Sequence, residues 1–98
     1  MGYAIDKWMA AWNMDSREVK VGPWPDVSRW SGRYDMSLGC DSSNRQRMSA
    51  EGKAMMLFID FHSLVVGRGL DPQAVHREFL KIDEYRRRIS PDIPGADS

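Results

Sequence analysis

The strongest constraint in this chain is a stretch, residues 48–66, that is apolar on nearly every side of a helix. At about 100° per residue, Met48, Gly52, Met55, Met56, Ile59, His62 and Val66 fall on one face, and Ala54, Leu57, Phe58, Phe61, Leu64 and Val65 on another. Between them Lys53 and Asp60 leave a thin polar strip. A helix of this kind has to be central and covered from two sides.

Helix boundaries follow from capping chemistry. Ser43-Asn44-Arg45-Gln46 fits a capping box, with Ser49 as a second N-cap. Gly67 and Gly69 tolerate the backbone of a helix end, and Asp71-Pro72 places an N-cap before proline at the first helical position. The next helix is expected from Pro72 to about Ile89, where Ser90-Pro91 stops it and Arg86, Arg87 and Arg88 complement the helix dipole. These two helices predict an antiparallel hairpin pairing Ile59 with Phe79, Met56 with Ile82, Gly52 with Arg86 and His62 with His76. The second helix offers a single stripe, Val75, Phe79, Ile82 and Ile89, and covers one face of the first. The other face then needs a Trp-rich arm or a second chain, and the hairpin alone should not be stable.

The first 42 residues read less regularly. Ile5, Trp8, Met9 and Trp12 are spaced as one stripe of a short helix. Glu18-Val19-Lys20-Val21 alternates for only four residues before Gly22-Pro23-Trp24-Pro25 breaks it, which predicts an irregular arm or at most a short hairpin. All four tryptophans lie in the first 30 residues. The expected fold is mostly α: a C-terminal antiparallel αα-hairpin (43–89) with a short N-terminal helix and an irregular Trp-rich arm (1–42) packed on it, and a tail (90–98), together one small helical domain.

Charge and chemistry narrow the function. Of 98 residues, 14 are Lys or Arg and 14 are Asp or Glu, so no overall field draws the chain to nucleic acid or an anionic membrane. The single Cys40 forms no internal disulfide, which fits a reducing cytoplasm. No run spans a bilayer, and neither a signal peptide nor a myristoylation pattern is present. No motif assembles a nucleophile with a base, a P-loop or a metal set, so no catalysis, cofactor or metal is expected. His62 and His76 facing each other lack a third ligand, which favours a core or boundary histidine at 62 and a surface one at 76 over a metal site.

Two clusters remain as binding candidates. Trp24, Arg29 and Trp30 in PWPDVSRW have hot-spot composition, with Leu80 as a further anchor because it points away from the stripe of its helix. Arg45, Arg47, Arg86 and Arg87 could gather near the open end of the hairpin as an anion site, although interspersed carboxylates dilute it. Arg86, opposite Gly52, reads either as an anion clamp or as an arginine laying its stem on apolar surface, and the second is preferred. The expected function is a small non-catalytic protein-binding module, an inhibitor or adaptor of the kind seen among bacterial or phage accessory and counter-defence proteins. Its expected partner is another protein, with a homo-oligomer left open. The alternative is an oligomeric nucleotide or small-anion binder, or a nucleic-acid-binding helical domain.

Overall fold

A computed structural model describes residues 4–39 and 47–89. A single turn of 3-10 helix, Ile5–Lys7, leads into strand β1 (Trp8–Asn13), followed by β2 (Val19–Pro23), a one-turn helix α1 (Trp24–Val27), β3 (Tyr34–Gly39), and helices α2 (Ala50–Gly67), α3 (Pro72–Phe79) and α4 (Asp83–Ile89). The strands form an antiparallel sheet in the order β2-β1-β3, which overturns the expected mostly α fold. The fold is a mixed one, with α2, α3 and α4 on one side of the sheet and α1 against β1 and β2.

The expected N-terminal helix is the central strand instead. Trp8, Ala10 and Trp12 alternate toward the helices, so the spacing that fits a helical stripe also fits period two. Burial decides between them: Ala10 and Ala11 are both buried, on opposite faces of one strand. The region from 15 onward is likewise not an irregular arm, because β2 pairs with β1 from Trp12↔Val19 to Trp8↔Pro23. In the connecting turn, Asn13 Oδ1 accepts the N–H groups of Asp15 and Ser16, and Arg17 takes φ 66°. Its guanidinium donates to Arg68 O at 2.9 Å, tying the turn to the far end of α2. Strand β3 closes the other edge of β1, with a one-residue register shift between Ala10 and Trp12.

Helix α2 starts at Ala50 with Ser49 as N-cap, whose Oγ accepts the Gly52 N–H at 3.0 Å. The Ser43–Gln46 capping box and Arg45 lie outside the described residues, as do Cys40 and the tail. At the other end Gly69, at φ 78°, lets its own N–H reach Val66 O and the Leu70 N–H reach Val65 O, a Schellman closure that buries Leu70. Ala54, Leu57, Phe61 and Val65 face the core with Trp12, Val19 and Val21 from the sheet and Val75, Phe79, Ile82 and Tyr85 from the last helices. Thus the sheet and the later helices share one face of α2. The opposite face keeps Ile59 and Val66 each 45% exposed.

The expected continuous helix 72–89 is broken at 80–82. Lys81 N–H bonds to Glu78 O and Ile82 N–H to Phe79 O, so the chain tightens into i,i+3 turns and then restarts. Val75, Phe79, Ile82 and Tyr85 are therefore the buried set, and Arg86, expected in the apolar stripe, turns outward. Arg87 reaches Glu51 at 3.2 Å and the Phe58 and Phe79 rings meet edge-on at 5.3 Å, but the pairs expected of Ile59 and His76 are not made: Ile59 is exposed on the opposite face of α2, and His76 bonds to Tyr85.

Candidate functional site: an aromatic sheet face and the groove at its edge

The tryptophans separate into two roles. Trp12 is buried in the core with the guanidinium groups of Arg17 and Arg68 6.0 and 5.8 Å from its ring centre, and its Nε1 has no hydrogen-bond partner among the described residues. Trp8 packs at the edge of the same core. Trp24 and Trp30 lie instead over the face of the sheet turned away from the helices. The arm carrying them therefore does not cover the spare face of α2, contrary to the expectation from the sequence.

Gly22 explains how Trp30 settles there. A Cβ at Gly22 would come within 3.1 Å of the Trp30 ring, so the glycine lets the indole lie directly on β2. Tyr34 packs beside it, with ring centres 5.1 Å apart. Lys20, on the same face of β2, holds its ammonium 5.6 Å from the Trp30 ring and 5.8 Å from the Tyr34 ring. Trp24 opens α1, is 53% exposed, and borders a hollow of about 360 Å³ with Asp6, Lys7 and Met9. Arg29, in the turn after α1, is also exposed.

Along the outer edge of β2 runs a groove of about 400 Å³. One wall is Trp30, Lys20 and Asp26; the other is Glu78 and Lys81 from the end of α3, with Trp8 and Pro23 at one end. Its floor is backbone. The Asn13 N–H bonds to Glu18 O, so the alternation of an antiparallel pair directs the main-chain groups of Val19 and Val21 away from β1. One of them is occupied: Glu78 Oε1 accepts the Val21 N–H at 3.3 Å, while Lys81 Nζ donates to the same oxygen at 2.9 Å.

Of the residues expected to form a binding surface, Trp24, Arg29 and Trp30 come from the segment that covers this sheet face. Leu80 does not join them, since it sits in the α3–α4 turn, half-buried against the core. Trp8, Lys20, Glu78 and Lys81 are groove residues that sequence reasoning missed. The i,i+3 placement of Glu78 and Lys81 is visible in the sequence, but nothing there points to β2.

The arginines of the expected anion site are engaged elsewhere. Arg86 donates to Leu80 O at 2.5 Å and to the Asp83 carboxylate. Arg87 pairs with Glu51 at 3.2 Å and with Glu84 at 4.0 Å. Arg47 is exposed ahead of α2. His76 shares a 2.9 Å hydrogen bond with the Tyr85 hydroxyl through Nδ1, and His62 stacks near Phe58 at 5.2 Å. Among the described residues no group of three or more His, Cys, Asp or Glu is placed to hold a metal ion, and no helix is long and apolar enough to cross a membrane. Comparison with protein-family models, curated proteins and solved structures finds no match to this chain.

Proposed function

We propose that the chain is a small non-catalytic protein-binding module, an inhibitor or adaptor, that takes an extended segment of its partner along the outer edge of β2. The observation that carries this reading is the groove whose floor is outward-facing strand backbone and whose walls are indole, lysine and carboxylate side chains. An added strand would gain main-chain hydrogen bonds from Val19 and from the Val21 carbonyl, would displace Glu78 from the Val21 N–H, and would set its alternate side chains against Trp30 and Lys20 on one side and Glu78 and Lys81 on the other. Lys20 and Lys81 against Asp26 and Glu78 favour a segment carrying charges of both signs. Trp24 and Arg29 extend the contact surface across the sheet face. Arg86 and Arg87, held by their carboxylates, lend the anion-binding alternative no support.

The test is a random peptide library panned against the full chain, with enriched peptides titrated into the isotope-labelled protein. Amide shifts should concentrate at 19–23 and 78–81, and N-methylation of alternate peptide residues should remove binding. Shifts confined to α2 or α4, or binding indifferent to N-methylation, would overturn the strand-addition reading.

A further inference from the structure

Glu78 reaches from α3 to the outer edge of β2. Its Oε1 carries two bonds, accepting the Val21 N–H at 3.3 Å and the Lys81 ammonium at 2.9 Å. Its Oε2 accepts no donor among the described residues, although the side chain is only 23% exposed. A carboxylate offers about four acceptor positions, so this one is half used.

The register of an added strand decides what becomes of it. In either orientation, a residue in register with Val21 turns its side chain to the same face of the sheet as Val21. Val21 is buried on the helix-facing side, in one cluster with Val75, Phe79 and Ile82. The side chain opposite Val21 therefore turns toward α3, where Glu78 and Lys81 form the wall. The added strand's own carbonyl takes the Val21 N–H, and the displaced carboxylate keeps Lys81 as its donor. Covered by that strand, Glu78 is an anion removed from water with a single partner, which is unfavourable unless a second cation meets it. The charges lining the groove add up the same way. Glu18, Asp26 and Glu78 stand against Lys20 and Lys81, and Lys20 is drawn over the Trp30 and Tyr34 rings. One added positive charge brings the groove to neutrality.

Resting on the strand-addition reading, we infer that the segment taken along β2 carries an arginine or lysine in register with Val21, and that Glu78 selects it. In the empty groove Glu78 stands in for the partner's carbonyl on the Val21 N–H. In the filled groove it turns to the partner's cation, and arginine is favoured because its planar fork engages both carboxylate oxygens. Glu78 is the penultimate residue of α3, so the exchange turns one side chain and breaks no main-chain hydrogen bond of helix or sheet.

The test pans one random peptide library in parallel against the full chain, Glu78→Gln and Glu78→Lys. Glu78→Gln keeps an acceptor for the Val21 N–H and removes only the charge. Peptides enriched on the parent should share an arginine or lysine at one alternate position, and replacing it with norleucine should weaken binding about tenfold. Glu78→Gln should erase that difference, and Glu78→Lys should exchange the preference for aspartate or glutamate. Nuclear Overhauser contacts between the basic residue and Val21 should place the two in register. Peptides that shift the amides of 19–23 yet show no basic preference, or keep it unchanged on Glu78→Gln, would overturn this inference and leave strand addition standing. A library that enriches nothing, or enriched peptides that leave those amides unmoved, would remove strand addition and this inference together.

Discussion

Glu78 Oε1 accepts the main-chain N–H of Val21 at 3.3 Å, so a helix side chain occupies a hydrogen-bonding position on the outer edge of the sheet. Edge strands expose such groups as templates for pairing, and a carboxylate held there blocks one of them. Glu78→Ala should leave this half-buried N–H without its partner, at a cost of about 1–3 kcal/mol. Glu78→Gln keeps an acceptor and should stay close to the parent. Thermal melts with parallel light scattering check this: the alanine variant should melt lower and scatter more as concentration rises, and equal behaviour of the two variants would remove the guarding role.

Ser49 caps the longest helix through its bond to the Gly52 N–H. Ser49→Ala should cost about 1 kcal/mol, lowering Tm by roughly 4–8 °C in a chain of this size. Ser49→Asp should retain the cap. A melt of Ser49→Ala that matches the parent would mean that the helix begins upstream.

Two aromatic or aliphatic positions two residues apart on α2 should behave very differently. Phe61 is wholly buried and Ile59 is not. Phe61→Ala should cost about 3–5 kcal/mol by opening a cavity, whereas Ile59→Ala should stay within about 0.5 kcal/mol. Urea unfolding at low protein concentration measures both. Comparable losses would place the wrong face of α2 against the sheet.

Tyr85 is 2% exposed, and burial pushes its hydroxyl above its ordinary value of 10.0. Ionisation is thus harder in the folded chain than in the unfolded one. Its contribution to stability is fully present below pH 10.0 and is lost as pH rises through the higher folded value. Tyr85→Phe should give up the bond to His76, worth about 0.5–1.5 kcal/mol near neutrality, and should flatten the alkaline fall in stability. Chemical denaturation at a series of pH values above neutrality shows whether the variant loses that fall.

The helical half of the fold was legible because its signals are local. Asp71 and Pro72 start α3 where expected, with Asp71 Oδ1 accepting the Gln73 N–H at 3.0 Å, and Gly69 ends α2. The strands were not legible because Ile5, Trp8, Met9 and Trp12 satisfy helical spacing while Trp8, Ala10 and Trp12 satisfy strand spacing. The alanines between them favour a helix until the sheet supplies neighbours on both sides. The break at 80–82 was hidden for a related reason: exchanging Arg86 for Tyr85 in the core depends on a turn that only tertiary packing selects. At the candidate site, the aromatic composition of the Trp24–Trp30 segment was visible, but its meeting with Glu78 and Lys81 was not. Residues 57 apart in sequence, such as Val21 and Glu78, leave no trace in local pattern.

The shared cluster of Ala10, Trp12, Val19 and Val21 with Leu57, Phe61, Phe79 and Ile82 makes the two halves of the chain inseparable. Cut between β3 and α2, the first piece would keep a sheet with one face bare, and the second three helices without their floor. Neither piece holds a closed interior, so each should lack a cooperative melt alone and regain one when the two are mixed. The molecule is therefore a single folding unit in which order arrives only after residues near both ends have met.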